Sequence, residues 1–522
     1  MSAKRSMLDL TTYSAVQKDF SWDAVWALFD GTPERMNVAH ECIDRHRGKG
    51  RAVSVKFSDG RSEHYSFDEL SDLTGRFANW LAKRGINKGD RVAVIVDPSR
   101  AFYVGMFGAM KYGAIAVPLF TLFGPDGLAL RINDCKPRLI LTQGDAEALA
   151  AQFPEAQVVR PDAAFWAALE AESPHFEAST GTSDLALFQY TSGTTRELPD
   201  AVRHTHRTPV TLMIAALYGL GLRPGDRYFC PSSPAWGHGL AHGTLSPLAL
   251  GIHTATYSGK FDAERILEAL QEFEIDNIAA APTVFRMMRN SGKRELYKVA
   301  LKKISYSGEP MDPQTRDWTE SSFGAAPCSM YGTTEVGVLI VNYPDLEGYS
   351  VKPGALGKPA PGFKLAIIDE EGIEVAAGER GEIALRRKDG WFRVKDIGWQ
   401  DAEGYFHIQG RADDVIISAG WTMSAVEIEN TLLKHPQVME AAVIGVPDTL
   451  RGQIPKAYLV AREAGDAVAE DIKAFMKERL SKHEYPRSIE FVSELPKTPA
   501  GKLNRRALRE AVRAATKEEN GQ

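Results

Sequence analysis

Apolar positions along the first third of the chain alternate between two periods. Between Ser66 and Gly85 they fall at Leu73, Phe77 and Leu81, the spacing of one helical face. Ser66 is placed as N-cap with Glu69 as its capping-box partner, and Gly85 is the stop signal. Gly89-Asp90 is a turn, and the apolar run at 91–96 reads as a buried strand. A second helix through Phe102, Met106 and Met110 ends near Gly113, and 114–117 is another short strand. Later runs at 185–188, 303–306 and 381–385 read as strands, and Pro282 opens a helix through Phe285 and Met288. Strands alternating with helices imply an α/β fold, a mostly parallel sheet covered on both faces.

The chain has 522 residues, more than one compact core accommodates, so two or more domains are expected. With 44% hydrophobic and 25% charged residues it has the composition of a soluble globular protein. A net charge of −6 gives no sign of attraction to nucleic acid or membrane. No apolar run is long enough to span a bilayer, and Met1-Ser-Ala-Lys-Arg-Ser lacks the apolar core of a secretory signal. Cys42, Cys135, Cys230 and Cys328 lie far apart, without metal-ligand spacing, which fits reduced thiols in a cytoplasm.

Several segments carry chemistry. After the strand at 185–188 comes Tyr190-Thr-Ser-Gly-Thr-Thr195, in which the hydroxyls of Thr191, Ser192, Thr194 and Thr195 surround Gly193. Hydroxyls and backbone N–H groups in a glycine loop can wrap a phosphate; alone, the segment also reads as a polar turn. Tyr331-Gly-Thr-Thr-Glu335 offers an aromatic face for a flat ring, a glycine for close approach, the Thr334 hydroxyl for phosphate and the Glu335 carboxylate for Mg²⁺. Asp396, in Trp391-Phe-Arg-Val-Lys-Asp396, can accept from two sugar hydroxyls, as acidic residues do in dinucleotide folds. Ser307-Gly308-Glu309-Pro310 reads as a turn after a strand, and Gly410-Arg411-Ala-Asp413-Asp414 as a charged linker. The stretch from Cys230 to Gly251 concentrates Trp236, His238, Gly239 and His242, equally a packed strand end or a pocket wall.

In order, these segments resemble the adenylate-forming superfamily of acyl-CoA synthetases, stand-alone adenylation domains and firefly-type luciferases, over about residues 22–508. The family's loop reads Thr-Ser-Gly-Thr-Thr-Gly-x-Pro-Lys-Gly-Val with a downstream His-x-His. Thr191 to Thr195, Pro199, Val202, His204 and His206 match. Arg196, Asp200 and Ala201 stand where Gly, Lys and Gly are usual, with one extra residue before Pro199, so the loop lysine is missing. Val394-Lys395 replaces Thr-Gly before Asp396, which leaves the local backbone shape open, and Thr422 stands where many acyl-CoA synthetases have arginine.

The resemblance implies a large multi-sheet N-terminal domain of αβαβα-type layers, residues 1–410, and a small mobile α+β C-terminal domain, residues 411–522. It implies an ATP-dependent carboxylate–CoA ligase that forms an acyl-adenylate and then an acyl-CoA thioester. Residues 191–195 would hold phosphates. Gly308, Glu309, Pro310, Tyr331, Gly332 and Thr333 would contact the adenine nucleotide, Thr334 and Glu335 would serve phosphate and Mg²⁺, and Asp396 and Arg411 the ribose. Asp413 would be the hinge, Lys502 the catalytic lysine, Trp236, His238 and Gly239 the acyl pocket, and Gly420, Trp421 and Arg451 the coenzyme A contacts. A carrier-protein-loading adenylation enzyme and a nucleotide-binding sensor remain the alternatives, and a homodimer is open. The acid is an aliphatic or aromatic monocarboxylate.

Overall fold

The computed structural model describes residues 6–121, 123, 125–190, 201–333, 336–411, 415–418, 421–448, 452–480, 485–498 and 503–520. They divide into two compact units, one of Met1–Ser307, Thr319–Cys328 and Tyr343–Ser350, the other of Gly308–Trp318, Ser329–Asn342 and Val351–Gln522.

In the first unit, one sheet runs in the order Gln157–Val159, Leu139–Thr142, Arg91–Ile95, Ile115–Pro118, Leu185–Gln189, Val202–Thr205. All its neighbours are parallel except the last pair. Another set of strands runs Ser62–Ser66, Arg51–Phe57, His253–Ser258, Arg227–Phe229, Asn277–Ala280, Lys303–Tyr306, parallel apart from the hairpin of its first two members. Parallel neighbours need crossover connections, and helices supply them. Phe67–Lys83 begins where the Ser66 hydroxyl accepts the Glu69 N–H at 3.0 Å. Its buried face is carried by Leu70, Phe77, Trp80 and Leu81, with Leu73 only half-buried. Arg100–Tyr112 is buried on nearly all sides and stops at Gly113 with φ of 95°. The two helices thus stand where the apolar periods put them. Ala93, Ile95, Ile115, Val117, Ile140, Phe188 and Tyr190 form a core cluster against the first sheet.

The second unit is built mostly on antiparallel pairs, with Gly452–Ala461 and Ser488–Phe491 pairing in parallel. Pro327–Thr333, which enters it at Ser329, pairs with Gly337–Val341, and that strand with Lys358–Pro359. Leu365–Ile368, Arg380–Arg387, Gly390–Gln400 and Phe406–Arg411 form a meander whose inner face packs Ile367, Ile383, Leu385, Val394 and Phe406 against Leu339 and Ile340. A separate sheet starts at Val415–Ser418 and continues with Trp421–Ser424, Val438–Asp448, Gly452–Ala461 and Ser488–Phe491. Ile428 and Leu432 of helix Ala425–Leu432 and Ile472 and Met476 of helix Asp466–Arg479 cover one side of it, while Leu508 of helix Arg505–Asn520 packs with Ile444 and Tyr458. The architecture is a large multi-sheet α/β part followed by a small α+β C-terminal part, as expected. Among the described residues no helix is long and apolar enough to cross a membrane.

Candidate active site

Thr191, Ser192, Gly193, Thr194, Thr195 and Arg196 lie outside the described residues, but the chain that flanks them is well anchored. The Tyr190 ring is buried, and its hydroxyl donates to Asp134 at 2.5 Å and contacts the Arg131 carbonyl at 3.2 Å. Gln189 pairs with Val202 in the antiparallel ladder, so the strands on either side of 191–200 close on each other. His204 reaches across to the Gln189 side-chain oxygen at 3.0 Å, and burial lowers its pKa to about 4, so it is neutral. The two matched histidines have different employment. His206 accepts the Val38 N–H at Nδ1 (3.0 Å), is wholly buried, and pins helix Val38–Cys42, a structural task.

Trp236, His238 and Gly239 sit at the start of a π-helical segment, His238–Leu245, rather than on a strand end. Such wide turns concentrate at functional sites. The half-buried Trp236 ring lies against Phe120 (centroids 5.1 Å) and Phe123 (5.8 Å), an aromatic cluster assembled only by tertiary packing. His238 Nδ1 lies 3.1 Å from the Ser232 hydroxyl, and its ring packs edge-on to His242 at 5.6 Å. Gly237 abuts Gln189, because a Cβ there would come within 2.6 Å of the Gln189 amide nitrogen. This wall therefore borders the strand that leads into the hydroxyl loop. Gly239 serves packing: an added Cβ would lie 2.2 Å from the Ser233 carbonyl oxygen. Gly239→Ala is expected to cost about 1–3 kcal/mol through overpacking, measured as a lower urea midpoint.

In the second unit, Tyr331 and Asp396 meet. The Tyr331 hydroxyl donates to Asp396 Oδ2 at 2.5 Å, and Asp396 is 7% exposed. Asp396 and Arg411 stand opposite each other in the ladder between Gly390–Gln400 and Phe406–Arg411. The sequence placed these three residues in separate motifs; strand register unites Asp396 with Arg411, and a side-chain hydrogen bond joins Tyr331 to Asp396. Gly332 is required by the hairpin itself, since a Cβ would lie 2.0 Å from the Gly337 carbonyl oxygen. Thr333 pairs with Gly337, and Thr334 and Glu335, between them, lie outside the described residues. Gly308 takes φ of 97° directly after the strand Lys303–Tyr306, the turn expected there; Glu309 is half-buried and Pro310 exposed.

Lys395, where the family has glycine, adopts the glycine-like conformation, φ 64°. Glu382 pairs with Ile397 and Ala384 with Arg393, so Val394, Lys395 and Asp396 oppose the single residue Ile383. This bulge turns Asp396 out of the regular alternation, as bulges beside binding sites do. The backbone shape survives the substitution, at a cost of about 1–3 kcal/mol for a non-glycine residue in this region.

Asp413, Gly420, Arg451 and Lys502 lie outside the described residues, and Trp421 is described only as the first residue of Trp421–Ser424. The chain around Lys502 is tied down on both sides. Lys497 pairs with Leu503, the Asn504 N–H donates to the Pro496 carbonyl, and Arg505 Nη2 donates to Glu429 at 2.5 Å. Glu429 also accepts the Val443 N–H at 2.7 Å, so this buried carboxylate is structural. Among the described residues no group of three or more His, Cys, Asp or Glu could hold a metal ion. A Mg²⁺ ion bound through one or two carboxylates and substrate phosphates would not require such a group, and Glu335, the carboxylate expected to hold it, lies outside the described residues.

A family model described as AMP-binding enzyme matches residues 43–393, and one described as AMP-binding enzyme C-terminal domain matches residues 427–502. Acetyl-coenzyme A synthetase of Bacillus subtilis (strain 168) is 32% identical over 96% of this chain and 95% of its own. The crystal structure of a Brucella canis acyl-CoA synthetase superposes with a TM-score of 0.75 at 32% identity, over 97% of this chain and 100% of that one. An anthranilate CoA ligase in complex with anthranoyl-AMP superposes with a TM-score of 0.84 at 26% identity, over 93% and 99%.

Proposed function

The chain belongs to the AMP-binding enzyme family and is an AMP-forming acid–thiol ligase; from that premise we propose which of its residues carry each step. It uses ATP to turn a carboxylate into an acyl-adenylate and pyrophosphate, and coenzyme A then displaces AMP to give the thioester. The observation that carries the assignment is the contact of Tyr331 with Asp396, itself opposite Arg411 in the ladder. An aromatic face for adenine, a carboxylate for the ribose hydroxyls and a guanidinium make a nucleoside site.

Residues 191–195 cradle the β- and γ-phosphates, and Arg196 supplies the charge that the missing lysine would have brought. Glu335 holds Mg²⁺, which when bound offsets phosphate charge. Thr334 donates to phosphate, and Lys502 stabilises the charge that builds as the carboxylate attacks. The wall of Trp236 and His238, closed by Phe120 and Phe123, contacts the acid, an aliphatic or aromatic monocarboxylate. Residues 1–410 form the N-terminal domain and 411–522 a lid turning about Asp413, consistent with the change of sheet between Arg411 and Val415. Gly420, Trp421 and Arg451 meet coenzyme A, and the enzyme works in the cytoplasm.

Acid-dependent exchange of pyrophosphate into ATP, run over a panel of acids, tests the first half-reaction and identifies the acid. Coenzyme A set against a phosphopantetheinylated carrier protein then tests the acceptor; transfer to the carrier alone would overturn the ligase reading. Arg196→Ala is expected to raise KM for ATP more than KM for the acid. An unchanged KM for ATP would remove Arg196 from the phosphate site.

A further inference from the structure

We propose that Glu382 is a positioning residue for the nucleotide, locking the left-handed turn at Lys395 that aims Asp396; this rests on the reading of Asp396 as the ribose ligand. Three observations converge on it. First, Lys395 is a non-glycine residue at φ 64°, in the middle of a bulge where Val394, Lys395 and Asp396 face only Ile383. An L-residue leaves that conformation unless something nearby holds it. Second, Glu382 holds it from the neighbouring strand. The Lys395 N–H donates to Glu382 Oε1 at 2.8 Å, one residue before Asp396. Third, the carboxylate is itself fixed. Arg393 Nη1 donates to Glu382 Oε2 at 2.8 Å, and Arg393 Nη2 donates to the carbonyls of Asp369 (2.9 Å) and Glu370 (2.7 Å).

Both Glu382 oxygens are thus committed to the bulge, one to its backbone and one to the arginine that precedes it. The bulge then presents Asp396 to the Tyr331 hydroxyl from one side, with Arg411 opposite in the ladder. A lysine at 395 needs the clamp because its Cβ makes the turn costly; glycine, which adopts positive φ freely, would not need it. The Glu382 carboxylate makes up for the absent glycine.

The test is a double-mutant cycle between Glu382→Ala and Lys395→Gly in the full-length enzyme, with KM for ATP, kcat and amide hydrogen exchange as readouts. Glu382→Ala is expected to raise KM for ATP about tenfold, the scale of releasing one strained turn, with kcat changed much less. Exchange at the Lys395 amide should accelerate, because its acceptor is gone. Adding Lys395→Gly should return KM for ATP to near the parental value, and Glu382→Gln, which keeps an acceptor oxygen, should stay near it too. Unchanged exchange at Lys395 in Glu382→Ala overturns the clamp, as does a KM that the glycine does not restore. If Glu382→Ala does not fold, Glu382→Gln and Lys395→Gly are compared with the parent. Accelerated exchange in Glu382→Gln, or a raised KM for ATP in Lys395→Gly, overturns the proposal. The ribose reading is checked apart from this, by comparing ATP with 2′-deoxy-ATP in Asp396→Ala. If that difference survives the substitution, the ribose assignment fails, whatever the exchange at Lys395 shows.

Discussion

Lys502→Ala will abolish acid-dependent pyrophosphate exchange while leaving conversion of supplied acyl-adenylate to acyl-CoA nearly intact. Adenylation brings a carboxylate oxygen against the α-phosphate, so negative charge concentrates where the bond forms. A lysine ammonium is the compact charge suited to it, and removing one preorganised donor from such a site typically costs about 10²–10³ in rate. Thioester formation has a different need, room for the pantetheine arm, and Lys502 must then be elsewhere. A lid swinging about Asp413, as proposed above, would satisfy both, and lid motions of this kind gate many enzymes. The substitution should spare the fold. The anchors of this segment are Leu503 on Lys497 and Arg505 on Glu429, and neither uses the residue 502 side chain. Asp413→Pro restricts the backbone at the pivot and should show the opposite bias or trap one pose. Equal loss of both half-reactions in Lys502→Ala, with an unchanged circular dichroism spectrum, would sink the two-pose mechanism.

Asp396→Ala will weaken ATP binding by roughly one to two decades. A carboxylate accepting from two hydroxyls makes charge-assisted bonds of about 1.5–3 kcal/mol, and a decade in affinity corresponds to about 1.4 kcal/mol. The carboxylate is 7% exposed and takes the Tyr331 hydroxyl at 2.5 Å, so part of the loss comes from freeing that ring. Asp396→Asn separates the two effects, since its amide oxygen can still accept from Tyr331 while the charge is gone. The decisive measurement is the ratio of ATP to 2′-deoxy-ATP affinity. It should exceed one in the parent and collapse towards one in Asp396→Ala, because the 2′-hydroxyl has lost its acceptor.

Local signals determined the helices and the chemistry. Ser66 as N-cap, the stop at Gly113 and the apolar runs at 91–96 and 185–188 act over a few residues, so the chain forms those elements much as its pattern reads. The candidate binding segments were legible for the same reason, each being a short contiguous run that carries its own functional groups. The sequence also exposed its own departures, Lys395 for glycine and Arg196 in the loop. It could not say what those departures do, because the answers depend on strand register and on contacts across long separations. Glu382 looks like any surface carboxylate until the ladder puts it over the Lys395 amide. Phe120 and Phe123 join Trp236 only when segments more than a hundred residues apart are packed together. His206 matched the family pattern yet turned out to hold helix Val38–Cys42, because a buried polar group must be satisfied and that was the partner within reach. Motif spacing fixes which groups are available; tertiary packing decides which face a ligand and which are spent on the fold.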